Sequence, residues 1–151
     1  MNTLFLERLL RLALQVTRAE RGMAVEASGA VCALVGLDEA TVNTPKFKRI
    51  AEKCLTDALT RDEVILTNNV ITDPSEAPVT NTSFADLRAV VAIPLASMGA
   101  LYLDQPIRQG IISRESIDRV QEFALRLIVE ERTDLEESEL KALYSASSAE
   151  T

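Results

Sequence analysis

Few side chains in this sequence have types and spacings suited to chemistry. The 151-residue chain has no His. Without His, no Ser-His-Asp or Cys-His nucleophilic set can form. The usual general base near neutral pH is missing, and His-ligated haem, iron and zinc sites are excluded. The five glycines are scattered at turns and make no phosphate-cradling loop. Carboxylates are plentiful, but no pair stands at strand ends among apolar residues as acid/base work requires. Asp104, two residues after Tyr102, comes nearest. Its plainer reading is a turn-capping carboxylate after a strand. Cys32 and Cys54 have no metal-type spacing and form no disulfide framework. Both read as small buried hydrophobes. The expectation is a chain that is not an enzyme and carries no cofactor.

Composition narrows the class. The chain is 47% hydrophobic and 26% charged, as in an ordinary globular domain. Net charge is −7, from 16 basic and 23 acidic residues. Phosphate backbones and anionic membranes attract basic surfaces, so neither nucleic acid nor a membrane is an expected partner. Free cysteines fit a reducing cytoplasm. Glu7, Arg8 and Arg11 interrupt the N-terminal apolar positions, so no signal peptide is read there. No run reaches the roughly 20 apolar residues that span a bilayer.

Positioning elements follow from periodicity. Leu6, Leu9, Leu10, Ala13 and Val16 make one face of a helix from Asn2 to Arg18. Phe5 and Leu12 widen it, which fits either a broad core face or a dimer contact. Gly22 suits a left-handed helix end. Strands are expected at 23–27 and 30–37, turning at Ser28-Gly29. Thr44-Pro45 opens a helix over 46–59, with Thr44 as N-cap. A short strand covers 64–67. The polar stretch 68–84 is a long loop of the kind that carries function. Two apolar runs, 89–95 and 100–103, form a hairpin about Gly99, covered on both faces. Ser113 caps a last helix with Ile117, Val120, Phe123, Ala124, Leu127 and Ile128 on its apolar side. Residues 1–131 are expected to be one domain. Residues 132–151 are expected to be a charged helical extension and a disordered tail.

The run Arg88-Ala-Val-Val-Ala-Ile-Pro-Leu95, then Gly99-Ala-Leu-Tyr-Leu-Asp104, resembles the signature of GAF domains. The closest subgroup is the GAF domains that accompany FHA domains in bacterial signalling proteins. Weaker matches in the right order, such as Ala19-Glu-Arg-Gly22 and Gly110-Ile-Ile-Ser113, extend the resemblance over about residues 4–129. It implies an α/β (α+β) fold with a central antiparallel sheet of five to six strands. The terminal helices would pack together on one face, with ligand-pocket loops on the other. Five strands are plain in the sequence; a sixth would come from 38–44 or the long loop. The chain departs from several branches of the family. Residues 68–87 lack the Cys-His pair of bilin binders. The NKFDE-type motif of cyclic-nucleotide binders is not present in order. Cys32 and Cys54 do not match the methionine-sulfoxide reductase pattern.

Two functions follow from the resemblance. One is a regulatory sensory module of bacterial signal transduction, binding an unidentified small molecule and transmitting through a terminal-helix homodimer. Asn69, Asp73, Ser83 and Arg88 would be its polar contacts, with Arg88 either holding an anion or standing as a surface cation at a strand start. The other is a ligand-free dimerisation module. In both, the helices Asn2–Arg18 and Ser113–Glu131 pair with their copies, and a signalling effector domain or protein is the output partner. Most such domains sit in longer chains, so this one is either an excised domain or a regulator acting in trans.

Overall fold

The computed structural model describes residues 3–71, 87–106 and 109–130. In order they form α1 (Thr3–Thr17), β1 (Arg21–Glu26), β2 (Val31–Val35), α2 (Glu39–Val42), α3 (Pro45–Arg61), β3 (Ile65–Ile71), β4 (Leu87–Pro94), β5 (Gly99–Pro106) and α4 (Arg114–Val129). The strands make one antiparallel sheet in the order β2-β1-β5-β4-β3. The β4–β5 hairpin thus lies at its middle.

Side-chain alternation divides the core into two halves. On one face Ala89, Val91, Ile93, Leu101 and Leu103 pack with Leu6, Leu9 and Leu10 of α1 and Ile117, Val120 and Leu127 of α4. On the other, Met23, Val25, Val90, Ala92, Ala100 and Tyr102 meet Phe47, Ala51, Cys54 and Ala58 of α3. The result is three layers, with the terminal helices on one side of the sheet and α3 on the other. Residues on both sides of β4 and β5 are therefore apolar, which explains why neither strand alternates with polar residues. Phe5 and Leu12 are buried within the chain. The wide face of α1 is spent on the core.

Several local expectations are corrected. Gly22 does not end α1; Arg18 does, at φ +63°. Gly22 sits inside β1, where a Cβ would meet the Tyr102 carbonyl oxygen at 2.8 Å and Leu10 and Leu103 side chains as closely. Its requirement is close approach, not a turn. The 38–44 region supplies no sixth strand: it holds α2, capped by Asp38, whose Oδ1 accepts the Thr41 N–H at 2.7 Å. That bond holds the exposed Asp38 carboxyl below its usual range. Thr44 occupies the N-cap position of α3, but its hydroxyl makes no capping bond and donates to the Thr41 carbonyl at 2.6 Å. The strand expected over 64–67 runs on to Ile71, with a register shift between Thr67 and Val70. Cys54 is buried, whereas Cys32 is half-buried at the β1–β2 register shift. Burial pushes both thiols up. Residues 132–151, the expected extension and tail, lie outside the described residues.

Ser113 caps α4 as expected, its Oγ accepting the Ser116 N–H at 3.3 Å. Ser113→Ala should lower stability by about 0.5–2 kcal/mol. A urea midpoint that does not move would deny the cap its role.

Candidate functional site

One cluster of charged and polar groups penetrates the α3 face of the sheet. It arises because three strands place polar side chains on the same parity as their core residues. β1 runs Arg21, Met23, Val25; β4 runs Arg88, Val90, Ala92; β5 runs Ala100, Tyr102, Asp104. Pairing brings Asp104 opposite Arg21 on one side and Val90 on the other. Asp104 is fully buried inside β5, not a turn cap beyond it.

The Asp104 carboxylate is the hub. Its Oδ1 accepts Arg21 Nε at 2.7 Å and Arg88 Nε at 3.2 Å, and forms an ion pair with Arg88 Nη2 at 3.0 Å. Its Oδ2 accepts the Tyr102 hydroxyl at 2.6 Å. Arg88 Nη2 also donates to Glu20 Oε1, and the Glu20 N–H donates to the Asp104 carbonyl at 3.1 Å. Two guanidinium groups thus face two carboxylates, so the cluster is neutral. That balance makes the burial of Arg88 and Asp104 tolerable, with Arg21 mostly covered and Glu20 closing the pair from the exposed side. Burial opposes the charge on Arg21, but the hydrogen bond and attraction of Asp104 prevail and raise its pKa.

Tyr102 is held well above the ordinary tyrosine range, first by burial and then by the Asp104 charge it donates to. A neutral phenol that ionises late favours the fold below the unfolded pKa of about 10. That contribution is lost as pH rises from there through the folded value. Alkaline unfolding is therefore expected to set in earlier for the wild type than for Tyr102→Phe, measured relative to each protein's own stability at pH 8. Parallel pH profiles would contradict this.

Phe47 of α3 closes the cluster on one side. Its ring meets Tyr102 edge-on at 5.4 Å, and the Arg21 guanidinium lies 5.7 Å from its centroid. Phe47 also forms the wall of a half-open cleft of about 320 Å³. Met23, Val25, Val31, Val42, Ala51 and Leu55 make the cleft apolar, and Asn43, Lys48 and Glu52 add polar groups.

Of the four residues expected to contact a ligand, Arg88 is buried and engaged by Asp104 and Glu20, not a surface cation. Asn69 lies in β3 at the register shift, next to Val70, which pairs with Arg88. Asp73 and Ser83 lie outside the described residues. Glu20, Arg21 and Phe47 are not among the site residues expected from the sequence; the first two read there as a helix end and Phe47 as part of an apolar helix stripe. A usable signal was present for one: Arg21 shares parity with Met23 and Val25. Among the described residues no group of three or more His, Cys, Asp or Glu could hold a metal ion. Among them, too, no helix is long and apolar enough to cross a membrane.

No protein-family model matches the chain, and no curated protein matches it. Solved structures do. The GAF domain/HD domain protein from Geobacter sulfurreducens superposes with a TM-score of 0.52 at 14% identity, covering 97% of this chain and 94% of that one. At that identity the likeness speaks for architecture alone. With the five-stranded sheet between α1 and α4 on one side and α3 on the other, the chain has a GAF-like fold.

Proposed function

We propose that this chain is a regulatory sensory module that binds a small molecule on the α3 face of its sheet and passes the event to α1 and α4. The observation carrying this reading is the apolar cleft beside Phe47, on the face opposite the terminal helices. Its volume falls at the lower end of the roughly 300–1,000 Å³ of ordinary ligand sites. Asn69, Asp73 and Ser83 are proposed as polar contacts of the ligand. The role proposed is regulatory and not enzymatic. Signal transduction in bacteria, a homodimer through α1 and α4, an effector domain or protein as output, and a cytoplasmic setting complete the proposal. A kinship with GAF domains that accompany FHA domains rests on the Arg88–Asp104 signature.

A ligand-free dimerisation module is the second reading. It is favoured by Leu4 on α1 and Val129 on α4, which stay 58% and 81% exposed. Native mass spectrometry of the full chain purified from its own host separates the two. A retained small molecule is the expected result. A dimer carrying none would replace the sensory reading with the second.

A further inference from the structure

We propose that the Arg88 guanidinium is a binding site for a small carboxylate, held shut by the chain's own Glu20. Arg88 has two anionic partners of different kinds. Asp104 is wholly buried and shared with Arg21 and Tyr102, so it cannot leave. Glu20 is 42% exposed, while the Arg88 side chain it covers is only 6% exposed. Glu20 belongs to no helix or strand; it bridges α1 and β1. Its carboxylate therefore has somewhere to go, and Arg88 does not.

Charge favours exchange over simple opening. With Glu20 turned to water, Arg21 and Arg88 face Asp104 alone, leaving one uncompensated positive charge in a site nearly closed to solvent. A small carboxylate in Glu20's place restores neutrality and accepts the same Nη2 donor. Forked guanidinium geometry suits a carboxylate better than a spherical anion. The internal competitor sets a threshold: the ligand must outcompete a tethered group, which makes occupancy a graded report of concentration.

The consequence, which rests on the sensory reading above, is transmission to α1. Glu20 lies three residues after the end of α1, past Arg18 in its left-handed conformation. The junction is held by Thr17, whose hydroxyl donates to the Ala13 carbonyl at 2.7 Å and accepts the Ala19 N–H at 3.3 Å. Releasing the Glu20 side chain removes the ionic tether between this junction and β4.

The test uses the full chain and sodium acetate, titrated against sodium chloride at matched ionic strength, reading the Arg88 Nε–H signal by NMR. The expected result is a saturable shift with acetate that chloride does not reproduce. In Glu20→Gln the apparent Kd should fall about two- to fivefold, the range set by removing a partly exposed ion pair. Arg88→Lys, which keeps the charge but loses the fork, should weaken the acetate response in the amides of Glu20 and Arg21. The proposal is overturned by an Arg88 signal that follows chloride as it follows acetate. It is equally overturned by equal acetate affinity in wild type and Glu20→Gln, or by an Arg88→Lys response as strong as wild type. Hydrogen exchange over residues 14–21 is read separately. Faster exchange with acetate supports transmission; an unchanged pattern beside a saturable Arg88 shift keeps the site and removes the sensory consequence.

Discussion

Replacing Asp104 with alanine is expected to destabilise the protein by about 3–5 kcal/mol, the cost of removing one partner from a buried charge network. The carboxylate is fully buried, so solvent does not screen its interactions. Its loss strands two guanidinium groups and the Tyr102 hydroxyl at once. Arg21 keeps its contact with the Phe47 ring, and Arg88 keeps Glu20. Neither replaces a charge at the centre. Against a typical domain stability of about 5–15 kcal/mol, the loss is roughly a fifth or more. Urea unfolding followed by circular dichroism measures it, with Tyr102→Phe as a milder companion expected to cost about 1–3 kcal/mol. A loss below about 1 kcal/mol for Asp104→Ala would be the surface value and would mean that water reaches the cluster.

Gly99→Ala should be comparably damaging for a different reason. Gly99 begins β5 at φ +142°, where an L side chain is strained. A Cβ there would run into the Val25 carbonyl oxygen and come within 3.0 Å of Glu26 Cα. Both obstacles are backbone, held in register because Glu26 pairs with Gly99 in the β1–β5 ladder. The strand cannot yield without breaking pairing at the middle of the sheet. Strain of about 1–3 kcal/mol and overpacking of about 1–3 kcal/mol add to roughly 2–6 kcal/mol. Gly110→Ala is the informative control. It has a positive φ of +99° but nothing within 4 Å of the added carbon. It should cost only the backbone part, about 1–3 kcal/mol. Equal losses at the two glycines would show that close approach contributes nothing at Gly99.

Hydrophobic periodicity alone determined much of this protein. The faces of α1, α3 and α4, the central hairpin and the Ser113 cap are local matters, because helix and strand spacings of apolar residues report directly which side is buried. Absence of His likewise closed whole classes of chemistry before any fold was known. Tertiary structure decided what local rules cannot. Gly22 looked like a helix end because glycine is permissive there; only the approach of Leu10 and Tyr102 shows that it is a packing residue. Asp104 looked like a turn cap because β5 was read as ending at Leu103. Its burial depends on partners 83 and 16 residues away in sequence, Arg21 and Arg88. No spacing rule links such positions, since strand order β2-β1-β5-β4-β3 is set by how the whole sheet closes over two helical layers. The same holds for Glu20. In the sequence it is one acidic residue among 23. In the fold it is the exposed half of a charge pair whose other half is buried, and that difference in exposure exists only once the chain has closed around Arg88.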